Sequence, residues 1–104
     1  FNNLKFFHNG FAGVKCLDGL WNFIRHDGTY LSDMWFKVVD DFDDNGLSRV
    51  QLQNGKRNYL RTDGKLLVDD LDCNVGCFDS NGITYVEKNE KVIYYINEKG
   101  EKVR

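Results

Sequence analysis

The residues best suited to chemistry lie in one acidic stretch near the middle of the chain. Asp41, Asp43 and Asn45 alternate along it and Gly46 follows, which is the order that begins a calcium-binding loop. In such a loop alternating oxygens surround the ion and the glycine makes a sharp turn. The position that would carry the bidentate glutamate holds Leu52 instead. A repeated Asn-Gly turn with incidental acids is therefore the favoured interpretation, and calcium binding is the alternative.

The three cysteines cannot all pair with one another in one molecule. Cys73 and Cys77 are four residues apart, which is ~13 Å along an extended strand and beyond the ~7 Å that a disulfide can bridge. A zinc site needs further ligands nearby, and His8 and His26 lie in other parts of the chain. We expect reduced thiols, which favour a cytoplasmic location, and neither a metal nor another cofactor.

Catalytic signatures are missing from the sequence. It contains no Gly-x-Ser-x-Gly, no His-Glu-x-x-His and no phosphate-binding glycine loop. Its many carboxylates lie beside turns, where aspartate is common because its side chain bonds to nearby backbone. The sequence predicts that the protein is not an enzyme.

Length and charge limit the remaining function classes. The 104 residues fit one domain, and 16 acidic against 14 basic residues leave no basic excess of the kind that nucleic-acid binding requires. No apolar run approaches the ~18 residues of a membrane span. We therefore expect one domain over residues 1–104, with neither nucleic acid nor a membrane span. Because the first residue is Phe1 and not methionine, we also expect the natural protein to continue upstream.

The elements that position all these residues are three copies of one sequence unit. The clearest copy is Asn45–Gly64, and two independent glycine series recur at intervals of 36 residues. The first series is Gly10, Gly46 and Gly82, and the second is Gly28, Gly64 and Gly100. We place the copies at about residues 1–32, 33–68 and 69–104.

Each copy predicts a β-hairpin followed by a short third strand. Asp18-Gly19 and Asn54-Gly55 separate β-prone runs and predict type I′ turns, whereas the third copy lacks this glycine and needs another turn type. The third strands are expected at Tyr30-Leu31, Leu66-Leu67 and Lys102-Val103. The predicted fold is all-β, a solenoid-like stacked array of three hairpin units, and the alternative is a pseudo-threefold, trefoil-like barrel.

The core is predicted from repeat positions that are apolar or aromatic in all three copies, because copies that pack together bury such positions continuously. These positions are Phe6, Phe42 and Phe78; Phe11, Leu47 and Ile83; Val14, Val50 and Val86; Phe23, Tyr59 and Tyr95; and Ile24, Leu60 and Ile96.

One family resembles this pattern over nearly the whole chain. The order Phe-x-x-Asn-Gly-apolar-small-x-Val, followed by Gly-Lys-x-x-Tyr-Leu-x-x-Asp-Gly-Lys, is similar to the bacterial WG β-repeat. The name-giving Trp-Gly dipeptide is replaced by Trp21-Asn22, Arg57-Asn58 and Ile93-Tyr94. The resemblance implies an all-β interaction module and supplies no catalytic residues.

The leading hypothesis is a non-catalytic module that binds another protein through residues that differ between copies. The candidate binding residues are Trp21, Trp35, Lys56, Arg57, Asp41, Asp43, Asp44 and Tyr94. Two alternatives remain open. The tyrosine-rich third copy suggests a cell-wall or carbohydrate-binding module. An acidic patch of residues 40–44 with Asp69, Asp70 and Asp72 suggests a small inhibitor, encoded by a mobile element, that covers a basic groove of a larger enzyme.

Overall fold

The fold is all-β, as predicted. The computed structural model describes residues 3–4 and 7–104, and this part of the chain contains no helix. The strands are β1 (Asn3–Leu4), β2 (Ala12–Lys15), β3 (Trp21–Ile24), β4 (Val38–Val39), β5 (Leu47–Gln51), β6 (Arg57–Arg61), β7 (Asn74–Val75), β8 (Ile83–Lys88) and β9 (Lys91–Asn97).

The strands form three small antiparallel sheets, β1-β2-β3, β4-β5-β6 and β7-β8-β9. The central hairpins keep one register as far as three equivalent valines, since Val14 pairs with Asn22, Val50 with Asn58, and Val86 with Tyr94. Beyond Val86 the third hairpin has a β-bulge, and Glu87 pairs with Val92. None of these sheets closes on itself, so the described residues do not form the trefoil-like barrel that was the alternative expectation.

The third strand of each sheet is not where the sequence predicted it. In the second and third sheets this strand precedes the hairpin, as β4 and β7. The segments predicted to be third strands contribute only single β-bridges, Tyr30 with Ile24, Leu66 with Leu60, and Lys102 with Ile96. The early strands were missed because two residues are too few to show an alternating pattern.

The predicted turn types are also wrong for all three hairpins, because the first two were expected to be type I′ and the third another type. Cys16 and Leu20 are joined by a backbone hydrogen bond of 2.9 Å, and in the loop between them only Gly19 has a positive φ. This is the three-residue loop with a left-handed glycine rather than a type I′ turn. In the third hairpin both loop residues, Asn89 and Glu90, have positive φ, as a type I′ turn requires. Glycine is therefore absent from the turn whose geometry favours it most.

The apolar side chains pack mainly between neighbouring sheets. One cluster joins the first two copies, and the Phe42 ring lies 4.7 Å from that of Phe11 and 4.8 Å from that of Phe23. A second cluster joins the last two copies, where the rings of Phe78 and Tyr59 are 5.0 Å apart. The second and third copies thus each supply a phenylalanine that covers an aromatic residue of the copy before it.

Most of the predicted core positions are buried, including all three valines of the Val14 position. Phe11, Phe78 and Ile83 are only partly buried, and so is Tyr95. Its counterparts Phe23 and Tyr59 are covered by the following copy, and no further sheet lies beyond Tyr95 in the described chain. Phe6 lies outside the described residues.

Two buried asparagines determine how the chain leaves the first and second sheets. The Asn22 Oδ1 accepts hydrogen bonds from the Phe23 N–H at 2.7 Å and the Ser32 N–H at 3.4 Å, and its Nδ2 donates to the Ser32 carbonyl at 2.8 Å. Asn58 makes the same three bonds, to Tyr59 and Val68. Each side-chain amide therefore stands between a strand edge and the departing chain.

The third copy has no such asparagine, and its chain takes another course. Tyr94 occupies the position, and the Tyr95 N–H donates directly to the Arg104 carbonyl at 2.7 Å. Arg104 is the repeat counterpart of Ser32 and Val68. In the first two copies the side-chain amide lies between the two backbone groups instead, because its oxygen accepts from the Phe23 or Tyr59 N–H and its nitrogen donates to the Ser32 or Val68 carbonyl.

Removal of one amide should be costly. We expect Asn58→Ala to lower the free energy of unfolding by about 2–4 kcal/mol, because the buried N–H groups of Tyr59 and Val68 and the Val68 carbonyl lose their partner. Urea denaturation followed by circular dichroism measures this. The control Asn81→Ala removes an exposed amide and should change stability by no more than about 0.5 kcal/mol. Equal effects of the two substitutions would contradict the role of Asn58.

The second glycine series allows a graded test of the packing between copies. Gly28, Gly64 and Gly100 have φ of 84°, 85° and 81°, so alanine meets the same backbone strain at each. A Cβ would have free space at Gly28, would lie 3.2 Å from the Leu67 carbonyl oxygen at Gly100, and 2.1 Å from the Leu31 carbonyl oxygen at Gly64. We expect Gly28→Ala to cost roughly 1–2 kcal/mol. Gly64→Ala should cost at least about 1–3 kcal/mol more, with Gly100→Ala between them, in thermal denaturation. Equal costs at the three positions would show that the copies pack less closely at Gly64 and Gly100 than these distances indicate.

Candidate functional site

The candidate site is an open cleft along β5 that lies on the second copy and extends to the third copy. It consists of two adjoining grooves of about 270 and 390 Å³ that share Asp40 and Arg49. The smaller groove is lined by Val38, Asp40, Arg49, Val50, Gln51 and Arg57. The larger is lined by Asp40, Asp41, Asp43, Asn45, Leu47, Arg49, Tyr59, Cys77, Phe78 and Glu98. We call the two grooves together the β5 cleft.

The strand geometry explains why these residues meet. Side chains alternate between the two faces of a strand, so Leu47, Arg49 and Gln51 of β5 lie on one face, and Ser48 and Val50 on the other. Arg57 of β6 is directly opposite Gln51 in the register, next to Arg49 on the same face. The hairpin therefore brings two arginines of the second copy to the side that borders the third copy.

The charges in the β5 cleft are separated along its length. Arg57 lies in the smaller groove, whereas Asp41, Asp43 and Glu98 lie in the larger one. Within the described residues, neither Arg49 nor Arg57 forms an ion pair, because the two ion pairs present there join Arg61 to Asp63 and Lys88 to Asp70. Both guanidinium groups thus retain the capacity to bind carboxylates of a partner.

Tyr59 forms the apolar floor of the larger groove. It is buried against Phe78, and burial raises the pKa of its hydroxyl, although the positive charge of Arg49 acts in the opposite direction. Tyr59 is therefore neutral near pH 7. Its hydroxyl is a hydrogen-bonding group and not a base.

Asp43 has a local structural role that accounts for the calcium-like pattern. Its Oδ1 accepts hydrogen bonds from the backbone N–H groups of Asn45 at 2.9 Å and Leu47 at 3.0 Å. Asp79, one repeat later, makes the same pair of bonds. Among the residues that the structure describes, no group of three or more acidic, histidine or cysteine side chains is arranged to hold a metal ion.

The other predicted binding residues lie outside the β5 cleft. Trp21 packs against the first core cluster, with the Lys15 Nζ 5.9 Å from its ring, and Trp35 packs beside Tyr30 at 5.1 Å. Tyr94 packs against the second cluster, with the Lys102 Nζ 4.4 Å from its ring.

Asp44 and Lys56 belong to turns. The Asn9 Nδ2 of the first copy donates to Asp44 at 3.5 Å, and the Lys56 carbonyl accepts from Leu52 at 2.8 Å. The β5 cleft therefore gathers Asp41, Asp43 and Arg57 from the predicted set and leaves the other five elsewhere.

The acidic patch predicted from two aspartate runs is divided in the structure. Asp70 forms an ion pair of 2.6 Å with Lys88, and this cation lowers the pKa of Asp70 while the carboxylate raises the pKa of Lys88. Asp69 lines a separate groove with Ser32 and Leu71. Neither residue lines the β5 cleft.

Arg49 is the main residue of the cleft that was not predicted. It lies at the centre, in both grooves, and its repeat counterparts are Gly13 and Tyr85. The criterion of variation between copies, which selected Arg57, applies to Arg49 equally well and would have found it.

Fold and cleft together define a class, an all-β protein of three repeated hairpin sheets with a polar cleft on the middle one. Residues 1–21 match the family model described as WG containing repeat, which confirms the resemblance to WG β-repeats. The match ends at Trp21, the tryptophan that stands where the family has its Trp-Gly dipeptide. No curated protein and no solved structure matches the chain. Within residues 3–4 and 7–104 no helix has the length and apolarity that a membrane span requires.

Cysteine labelling tests the environment of the cleft. All three cysteines are free; Cys77 is exposed in the larger groove, and Cys73 is buried. Burial and the nearby charge of Asp70 raise the pKa of the Cys73 thiol, so little of it is thiolate at neutral pH. We expect Cys77 to react with a thiol reagent at least about tenfold faster than Cys73, and the rates to converge on unfolding. Mass spectrometry at timed intervals measures both. Equal rates in the folded protein would contradict this arrangement.

Proposed function

We propose that the chain is a non-catalytic β-repeat module, built as a stacked array of three hairpin sheets, that binds another protein through the β5 cleft. The observation that carries the proposal is the continuity of the two grooves, which share Asp40 and Arg49 and combine a basic end with an acidic end. Residues that are peculiar to the second copy line both ends.

The stacked array is supported by contacts that recur between successive copies. Phe42 covers Phe23 and Phe78 covers Tyr59, and clusters of buried apolar residues span both junctions. A single hairpin is marginal in water, so each sheet depends on its neighbour for stability.

The shape and polarity of the β5 cleft favour a polypeptide as the ligand. It is shallow and open and contains charged groups along its length, whereas sites for small molecules are usually enclosed and mostly apolar. A segment of a partner protein with an acidic group near Arg57 and a basic group near Asp41 would complement it. Tyr94, on which a sugar-binding role depends, has one side of its ring occupied by Lys102.

Charge reversal at the two ends of the cleft tests this proposal. We expect Arg57→Glu and Asp41→Lys each to reduce recovery of the partner by about tenfold or more, because each places like charges opposite one another. Both side chains are exposed, so the fold should be retained. The measurement is affinity purification of the tagged protein from its native lysate with quantitative mass spectrometry, at low and high salt.

The matched control is Lys65→Glu, an exposed charge reversal in the same copy that lines a different groove. It should leave recovery unchanged. Loss of the partner in all three variants would mean that binding does not depend specifically on the β5 cleft. Binding to polysaccharides with no protein recovered would contradict the proposal as a whole.

A further inference from the structure

The charges of the β5 cleft are ordered along the direction of β5. Arg57 lies opposite Gln51, at one end of the strand. Asp43 lies at the other end, because its Oδ1 accepts a hydrogen bond from the Leu47 N–H at 3.0 Å. Gln51 and Leu47 are four residues apart, which is ~13 Å along an extended strand. The basic and acidic ends of the cleft are therefore separated by about this distance.

The acidic end contains two further carboxylates. Asp41 is exposed in the larger groove. Glu98 of the third copy lines the same groove and accepts a hydrogen bond from the Asn45 side chain. Among the described residues, neither these two carboxylates nor Asp43 forms an ion pair, since the ion pairs there involve other acids. This end of the cleft would therefore complement a cation of the ligand.

The middle of the cleft is balanced in charge and has an aromatic floor. Asp40 and Arg49 line both grooves and carry opposite charges. Beneath them Tyr59 is buried against the ring of Phe78, which is itself only partly buried. A charged ligand group gains little where the protein charges balance, whereas an apolar side chain is stabilised when Phe78 removes it from water. The middle therefore favours an uncharged, apolar group.

The distance between the charged ends favours an extended ligand. In an extended segment, residues at i, i+2 and i+4 point to the same side, and the first and last of them are ~13 Å apart. In a helix, positions i and i+4 are only ~6 Å apart along the axis, and a helix with its side chains is about 10–12 Å wide. An extended segment therefore matches the cleft with the fewest residues and presents three side chains to it.

We propose that the β5 cleft recognises an extended segment of the partner protein in which an acidic, an apolar and a basic residue occupy alternate positions. The inference rests on the proposed function and adds the sequence class of the ligand. The acidic side chain binds the guanidinium groups of Arg49 and Arg57. The apolar side chain lies against Phe78, and the basic side chain binds Asp41 and Glu98. These contacts involve side chains alone, so the segment satisfies them in either chain direction.

Short synthetic peptides test the alternation. One contains Glu-Thr-Val-Thr-Lys, in which the glutamate, valine and lysine share one face and the β-branched residues favour the extended conformation. The matched control contains Glu-Thr-Val-Lys-Thr, which has the same composition but places the lysine on the opposite face. Fluorescence anisotropy of each labelled peptide, with protein added to about 1 mM, measures the affinities. We expect the alternating peptide to bind about tenfold or more tightly than the control.

A charge reversal in the protein locates the acidic residue of the ligand. Arg57→Glu should weaken binding of the Glu-Thr-Val-Thr-Lys peptide by about tenfold or more. The same variant should bind Lys-Thr-Val-Thr-Lys more tightly than the wild type does, because a cation then faces the introduced carboxylate. Lys65→Glu, an exposed charge reversal outside the cleft, should bind all these peptides like the wild type.

Equal affinities of the alternating peptide and its control would overturn the inference, and so would the absence of binding by both up to about 1 mM. Binding that Arg57→Glu leaves unchanged would overturn it as well. If Arg57→Glu nevertheless reduces recovery of the partner from lysate, the proposed function stands and only the alternating motif is wrong. Recovery of the partner that Arg57→Glu and Asp41→Lys leave unaffected would instead contradict the proposed function.

Discussion

The buried side-chain amide at Asn22 and Asn58 is the constraint on which the arrangement of the three sheets depends. A peptide group removed from water must find a hydrogen-bond partner, and the edge of β3 or β6 offers one to the departing chain. The side-chain amide has the same donor and acceptor groups as a peptide. At Asn22 and Asn58 it therefore accepts the hydrogen bond of the strand N–H in place of the departing chain. The chain can then leave the strand edge without an orphaned group. In the first copy it returns at Phe36, which exchanges two backbone bonds with Trp21 at 2.7 and 2.8 Å.

This constraint explains what could and could not be predicted from the sequence. The 36-residue glycine intervals and the recurring apolar positions predicted an all-β fold, three units and most of the core, because both signals are local and periodic. Asn22 and Asn58 were recognised only as replacements for the glycine of Trp-Gly. Their role depends on residues ten positions away, which no local pattern encodes. The turn types failed for a related reason, since loop length determines turn geometry and depends on the exact strand ends.

Much of the burial in this fold occurs at the junctions between copies. Phe42 fills the space between Phe11 and Phe23, so the first two copies share one cluster of buried residues. A smaller cluster of Ala12, Val14 and Ile24 lies within the first copy. The apolar position of Phe23, Tyr59 and Tyr95 is consequently buried only where a following copy covers it. Tyr95 satisfies the same sequence rule as Phe23 and Tyr59 and remains partly exposed. The recurring apolar pattern therefore predicts which residues can be buried. Whether such a residue is buried depends on the neighbouring copy.

The β5 cleft follows from the same division between shared and variable positions. Where the three copies agree, the side chains face a junction and their size is fixed by packing. The position of Gly13, Arg49 and Tyr85 lies on the face of the central strand that packing constrains least, and it differs in every copy. The ring of Tyr85 lies so close to Gly76 that a Cβ there would be 2.3 Å from its Cε2, so this copy covers its own backbone. Arg49 extends instead into the space between two sheets, where it joins the two grooves. One variable position thus gives the middle copy a charged cleft and the last copy an exposed tyrosine, while the two hairpins keep the same pairing from Leu47 and Ile83 as far as Val50 and Val86.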